Sequence, residues 1–240
     1  MIVQACINGA RLFDYHPALP LTAEAMARDS AACVAAGAAE VHLHARGKDG
    51  RESLAAVDEA IRFVRRACPG TLVGVSTGAW IEDDEEKARQ HIAAWRVLPD
   101  YASVNLSEPD APEIIALLRR IGVGVEAGLA TVEDARRFVA LADCRRAFRI
   151  LIEIEEQDLS AADGIADGIA SVLEDAGVAR PILLHGFDAT VWHFVNRARQ
   201  RRWSTRVGLE DGDRLAQGEV ARGNAELVTE AVRIFWQPSH

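Results

Sequence analysis

Cysteine is sparse and unpaired in this chain: Cys6, Cys33, Cys68 and Cys144 are the only four in 240 residues, they lie far apart, and none forms a C-x-x-C pair. Free, buried thiols in a reducing compartment are the expected state. No apolar run approaches the roughly 20 residues that a membrane span requires. The opening MIVQACING has neither a basic n-region nor a long apolar h-region, so no signal peptide is indicated. A soluble, cytoplasmic protein is expected. Positive charge is also in deficit, with 27 Lys and Arg against 36 Asp and Glu and a net charge of −9. The basic residues are scattered. A long polyanion needs an electropositive surface to neutralise its phosphates, which excludes nucleic acid as the expected partner but leaves room for one small anionic ligand. No linker rich in Pro, Ser or Gly divides the sequence, so residues 1–240 read as one domain.

What is present is an alternation of short β-rich apolar runs with longer helical segments. The runs are IVQACI (Ile2 to Ile7), EVHLH (Glu40 to His44), LVGVS (Leu72 to Ser76) and YASVN (Tyr101 to Asn105). VGVEA (Val123 to Ala127), FRILIEI (Phe148 to Ile154), PILLH (Pro181 to His185) and TRVGLE (Thr205 to Glu210) follow. Thr22 and Thr131 stand where a side chain caps the free N–H groups of a first helical turn, and Gly37 stands where a left-handed residue ends a helix. Eight strand–helix pairs predict a parallel sheet with helical crossovers, and eight is the count that closes a (β/α)8 TIM barrel. A doubly wound open sheet is the structural alternative.

In such a barrel, chemistry collects at the C-terminal ends of the strands. Nearly every run ends in a polar group: Asn8, His44, Ser76 with Thr77, Asn105, Glu126, His185, and Glu210 with Asp211. Glu153 and Glu155 on the sixth run fit the same pattern but are equally compatible with the outer face. The sharpest signal is His42-Leu43-His44-Ala45-Arg46. Side chains two apart on a strand project to the same side, so both imidazoles share one space. Two imidazoles side by side suit zinc, which takes N and O donors and keeps an open position for catalysis. Glu210, Glu126, His185 and Asp211 are the candidates for a third ligand, and spacing does not choose among them.

These residues, in this order, resemble the β-keto acid cleavage enzymes, whose prototype is 3-keto-5-aminohexanoate cleavage enzyme. The resemblance is carried by Asn8-Gly9, by H-L-H-A-R, by S-T-G at Ser76 to Gly78, by S-V-N at Ser103 to Asn105, by V-E-A at Glu126 and by V-G-L-E-D-G ending at Gly212. It implies zinc held by His42, His44 and Glu210. It implies a reaction of a β-keto acid with acetyl-CoA that yields acetoacetate and a new CoA ester. Asp211 then matches the catalytic aspartate, Arg206 the arginine that positions it, and Ser76 the serine of S-T-G. Asn8, Arg11, Arg46, Thr77, Asn105 and Glu126 are the expected substrate contacts. Homo-oligomerisation is implied as well, with the apolar Ile234-Phe235-Trp236 as a subunit contact. Two loops at the mouth, Ala79-Trp80-Ile81 and Leu106-Ser107-Glu108-Pro109, depart from the family's Gly-rich continuations. Arg11 favours a neutral or anionic substrate tail, whereas Glu126 can hold an amine.

Other features are expected to be structural. Glu82-Asp83-Asp84-Glu85-Glu86 reads as the solvated first turn of a helix, where negative charge complements the dipole. His16, His91 and His240 read as surface residues. The cluster of Arg199, Arg201 and Arg202 fits either a helix end or a CoA phosphate. Two other functions compete: another metal-dependent barrel enzyme such as an amidohydrolase-like hydrolase, which also uses H-x-H, and a barrel that binds ligand without turnover.

Overall fold

The computed structural model describes residues 1–82 and 84–236. Eight strands run in chain order: β1 (Val3–Cys6), β2 (Glu40–Leu43), β3 (Leu72–Ser76), β4 (Tyr101–Asn105), β5 (Gly124–Leu129), β6 (Arg149–Ile154), β7 (Ile182–Gly186) and β8 (Thr205–Val207). They form one sheet in the order β7-β6-β5-β4-β3-β2-β1-β8, and every ladder is parallel. The two ends meet through a parallel bridge between Leu183 and Ser204, with Ser204 N–H donating to the Ile182 carbonyl and Leu184 N–H to the Ser204 carbonyl, both at 2.9 Å. The sheet therefore closes into a barrel, and the open-sheet alternative is excluded.

One main helix follows each strand: α1 (Ala23–Ala35), α2 (Val57–Ala67), α3 (Glu85–Ala93), α4 (Ala111–Ile121), α5 (Val132–Ala140), α6 (Leu159–Asp175), α7 (Val191–Arg201) and α8 (Asn224–Phe235). The strands are buried on both faces, which is why they read as nearly continuous Val, Ile and Leu runs. The helices are amphipathic instead. In α2, Val57, Ala60, Ile61 and Val64 recur at helical spacing and bury one stripe against the sheet. Burial of a side chain such as Ile61 or Val64 stabilises the fold by about 1.5–3 kcal/mol. The ends are set by local chemistry. Thr22 accepts from the Ala25 N–H, and Thr131 forms a reciprocal capping box with Asp134. Gly37, at φ 108°, turns the chain out of α1.

Several polar residues sit differently from the sequence expectation. Glu82 is not a solvated turn residue: it accepts from the Leu54 N–H and pairs with His91 and Lys87, and the helix begins only after Asp84, whose side chain accepts from the Lys87 N–H. Asp83 and His240 lie outside the described residues. His16 is buried, with its Nε2 2.9 Å from the Ala221 carbonyl, because the loop after β1 folds beneath the loop after β8. Ile234 and Phe235 pack into the barrel's own core, and only Trp236 of that apolar tail is exposed. Arg201 and Arg202 fall at the C-terminal end of α7, the end of a barrel helix remote from the mouth. That position rules them out as contacts for a phosphate bound there.

Polar residues also plug the barrel's lower end. Arg149 opens β6, and its guanidinium donates to Glu126 at 2.7 Å and in bidentate fashion to Glu40 at 3.1 and 2.8 Å. Beside them the Tyr101 hydroxyl accepts from the Gln4 amide at 2.8 Å and donates to the Val41 carbonyl. Glu126 is thus engaged inside the barrel, fully buried, rather than presented at the mouth. Its place as a substrate contact is corrected accordingly: Arg149 and the start of β2 take its carboxylate.

Candidate metal centre and active site

At the C-terminal mouth lies a cavity of about 630 Å³ whose wall includes His42, His44, Arg206 and Glu210. β2 delivers the two imidazoles. Their ring centroids are 5.4 Å apart at 75°, a T-shaped arrangement. β8 and the turn after it deliver Glu210. His42 Nε2 lies 4.0 Å from Glu210 Oε2, and His44 Nε2 lies 3.5 Å from Glu210 Oε1. One ligand atom from each of the three residues falls within 4.8 Å of the others. His185, Glu126 and Asp211, the other third-ligand candidates, are not part of this cluster.

Two glycines make the approach of β8 to β1 possible. Gly9 has φ 54°, and a Cβ there would stand 2.4 Å from Glu210 Cγ. A Cβ on Gly208 would stand 1.8 Å from the Cys6 carbonyl oxygen. A side chain at Gly9 would displace Glu210 from the histidines, and one at Gly208 would push the turn after β8 off β1.

The donors are prepared by their surroundings. Asn8 clamps the His44 backbone, accepting from its N–H and donating to its carbonyl at 2.9 Å each. Glu52 bonds the Nδ1 side of His44, which leaves Nε2 facing Glu210. A carboxylate on the remote nitrogen of a histidine fixes its orientation and raises its basicity as a ligand. Burial pushes His42 down to about 3 despite the pull of Glu210, so it is a neutral imidazole. Burial acts on His44 in the same direction, but the carboxylates of Glu210 and Glu52 outweigh it and hold it up at about 9. Burial would raise Glu210, yet Arg206, His44 and His42 keep it well below the usual carboxylate range.

Arg206 joins the ligand cluster to Asp211. Its Nη2 donates to Glu210 Oε1 at 2.9 Å and to Asp211 Oδ1 at 2.7 Å. Asp211 is completely buried and lies behind Arg206 rather than on the cavity wall. Among the described residues, six buried polar atoms around this centre have no hydrogen-bond partner: His42 Nδ1, both ring nitrogens of His185, Arg206 Nε, Glu210 Oε2 and Asp211 Oδ2. Buried polar groups are ordinarily satisfied, so such a concentration at one end of a barrel marks a place built for a ligand.

The remaining expected contacts divide. Ser76 and Asn105 line the cavity. The Ser76 hydroxyl accepts from the Gly78 N–H, which leaves its own hydrogen to donate. Thr77 turns away to the Ser103 carbonyl. Arg46 braces the loop after β1 by donating to the carbonyls of Gly9 and Arg11, and it is not on the wall. Arg11 is on the wall, but Asp188 pairs with it at 3.1 Å, the Glu210 carbonyl accepts from its Nε, and it lies over the Tyr15 ring. Its guanidinium is thus paired with Asp188 at the rim of the cavity. Glu52, Trp80 and Ser103 belong to the site without having been singled out for it. Trp80 stacks near His44 and donates to Glu52 at 3.0 Å. Glu153 lines the cavity, which settles its two-sided reading in favour of the inner face. A signal for Glu52 existed: it closes a tight turn through Gly47 and Gly50, which returns the chain antiparallel onto Arg46 beside the histidines.

Comparison with known proteins decides the ancestry. The profile of the β-keto acid cleavage enzyme family matches residues 1–160. The chain belongs to the β-keto acid cleavage enzyme family. The match takes in β1 to β6 and the two histidines, while Arg206, Glu210 and Asp211 lie beyond it. A 3-keto-5-aminohexanoate cleavage enzyme of Fusobacterium nucleatum is 36% identical over 81 residues, 32% of this chain and 30% of that protein. The protein of the same name from Acetoanaerobium sticklandii is 30% identical over 108 residues, 44% of this chain and 38% of its own length. The aligned segments thus span well under half of these cleavage enzymes. Among solved structures, the ternary complex of ObcA with a C4-CoA adduct and oxalate superposes with a TM-score of 0.71 at 19% identity, covering 89% of this chain and 62% of that one. A type I 3-dehydroquinate dehydratase from Clostridium difficile reaches 0.63 at 12% identity, covering 96% of this chain and 91% of that one. Both likenesses establish the barrel.

Proposed function

We propose that this family member is a zinc-dependent enzyme that exchanges acyl groups between a β-keto acid and acetyl-CoA, giving acetoacetate and a new CoA ester. The observation that carries the reading is the convergence of His42, His44 and Glu210 within 4.8 Å beside the Arg206–Asp211 pair. Two imidazoles and one carboxylate suit zinc with a position left for substrate, and the unpartnered Glu210 Oε2 faces His42. When bound there, the ion supplies Lewis acidity toward the keto and carboxylate oxygens of the substrate. The CoA adduct in the ObcA structure supports the thioester half of the reading.

The chain's own residues perform the proton and charge work. Asp211 serves as the base: as the wall side chains part around bound substrate, its free Oδ2, buried behind Arg206 in the ligand-free site, takes a proton from the carbon between the keto and carboxylate groups. Arg206 holds the other oxygen of that carboxylate and keeps it aimed. The resulting carbanion attacks the acetyl thioester, forming a C–C bond and releasing the CoA thiolate. The thiolate then attacks the original keto carbon, the older C–C bond breaks, and the departing acetoacetate recovers its proton from Asp211. Ser76, with its hydroxyl hydrogen uncommitted, and Asn105, with its second amide hydrogen, stabilise the oxyanions that form at each carbonyl. The reading includes a cytoplasmic homo-oligomer. Four free buried cysteines support the compartment, and the exposed Leu12, Phe13 and Trp236 support self-association. Among the described residues, no helix is long and apolar enough to cross a membrane.

The test is the metal content of protein purified without chelator or a His tag, beside the His42→Ala variant. Near-stoichiometric zinc in the parent and little in the variant supports the site. Mass spectrometry of a β-keto acid panel with acetyl-CoA then reads acetoacetate and the new CoA ester. A parent that stays free of metal after incubation with zinc overturns the reading.

A further inference from the structure

His185 ends the inner run of β7, 1% exposed, and takes no part in the metal cluster. It stands between two carboxylates. Its Nδ1 lies 3.3 Å from Asp211 Oδ1, and its Nε2 lies 3.6 Å from Glu153 Oε2. Neither contact is a normal hydrogen bond, so both buried ring nitrogens are unmet among the described residues. Contacts of this kind in ligand-free sites commonly tighten when substrate binds. Asp211 Oδ1 is meanwhile shared between Arg206 and His185, and its Oδ2 is the one oxygen with no neighbour committed to it. Glu153 lines the cavity, so the row Glu153–His185–Asp211 runs from the wall to the buried carboxylate.

We infer that His185 is a positioning residue: it holds Asp211 Oδ1 through Nδ1, so that Oδ2 remains free, and Glu153 holds the ring from the cavity side. The inference rests on the reading of Asp211 as the base. Geometry gives it force. A carboxylate anchored by Arg206 alone can pivot about that single contact, whereas a second contact on the same oxygen from another strand fixes the plane of the group. Misplacing a reacting atom by about 1 Å costs on the order of 10²-fold in rate.

Two substitutions separate the nitrogens. In His185→Asn the amide stands in for Nδ1 and can still reach Asp211. In His185→Gln it stands in for Nε2 and reaches Glu153 instead. With the metal-loaded enzyme, Asn is expected to lower kcat about tenfold and Gln about 10²-fold, KM and zinc content staying within twofold of the parent. Equal losses in the two variants overturn the inference, and so does a His185→Gln enzyme with parental kcat. Crystal structures of both variants supply a readout independent of turnover. Asp211 is expected to keep its rotamer in His185→Asn and to swing away in His185→Gln. An unmoved Asp211 in His185→Gln overturns the inference even where the parent shows no activity, an outcome that would itself count against the functional reading alone.

Discussion

At the residue scale, the centre depends on side chains that never touch the ligand space directly. Glu52 is the clearest case, because it holds the far nitrogen of His44 and also accepts from Trp80. Replacing it by Gln preserves size while removing the charge that makes His44 a better donor. Glu52→Gln is expected to weaken zinc affinity by about 10–100-fold. Competition against a chromophoric chelator measures this, and unchanged affinity would reduce Glu52 to a tether for Trp80. Glycine makes the same point without any polar group. Gly9 has no side chain because Glu210 occupies the space where one would be. From sequence, Asn8-Gly9 is legible only as part of a motif, and its reason emerges when β8 is laid against β1.

At the element scale, the join between α1 and α8 carries a testable pH dependence. Asn224, the first residue of α8, donates to the Ile7 carbonyl and to Asp29 on α1, and accepts from the Leu209 N–H. Burial raises Asp29 to about 6 from its usual 3.8, with the Asn224 donor offsetting only part of the effect. An acid whose folded value is raised binds protons more readily when folded. Its contribution to stability is therefore full below pH ~4, declines as pH climbs to about 6, and stays lost above that. A shift of this size corresponds to about 3 kcal/mol, discounted to the order of 1 kcal/mol because Asp29 keeps some solvent contact. Asp29→Asn retains an acceptor for Asn224 and loses the charge. Urea denaturation should show the variant more stable by that amount at pH 8 and level with the parent near pH 4. A gap that does not change with pH would remove burial of the charge as its cause. The elements themselves were legible, since apolar runs, threonine caps and Gly37 mark strand and helix ends through local chemistry. The inner or outer facing of Glu153 was not, because a strand buried on both faces loses the polar alternation that reports sidedness.

At the scale of the whole molecule, eight strand–helix pairs pointed to closure, and the H-x-H pair pointed to the mouth. The depth of Glu126 was hidden, because Glu40, which shares Arg149 with it, comes from β2, far away in sequence, and nothing local records that they meet. This triad ties β5 and β6 to β2 across the barrel's lower end. Its energetic logic is asymmetric. Removing one member leaves uncompensated buried charge and costs about 3–5 kcal/mol, whereas replacing a whole buried ion cluster with apolar groups of similar volume is often neutral or stabilising. Arg149→Met alone strands two carboxylates and is expected to lower the Tm by roughly 6–20 °C for a chain of this size. Adding Glu40→Leu and Glu126→Leu should recover most of that loss. The zinc content of the refolded triple variant should match the parent, because the histidines and Glu210 stand at the opposite end of the barrel. Differential scanning calorimetry and metal analysis on the same samples read both quantities. A triple variant that recovers stability but no longer binds zinc would show that the plug sets the geometry of the mouth, and that the two ends of the barrel are coupled through the strands.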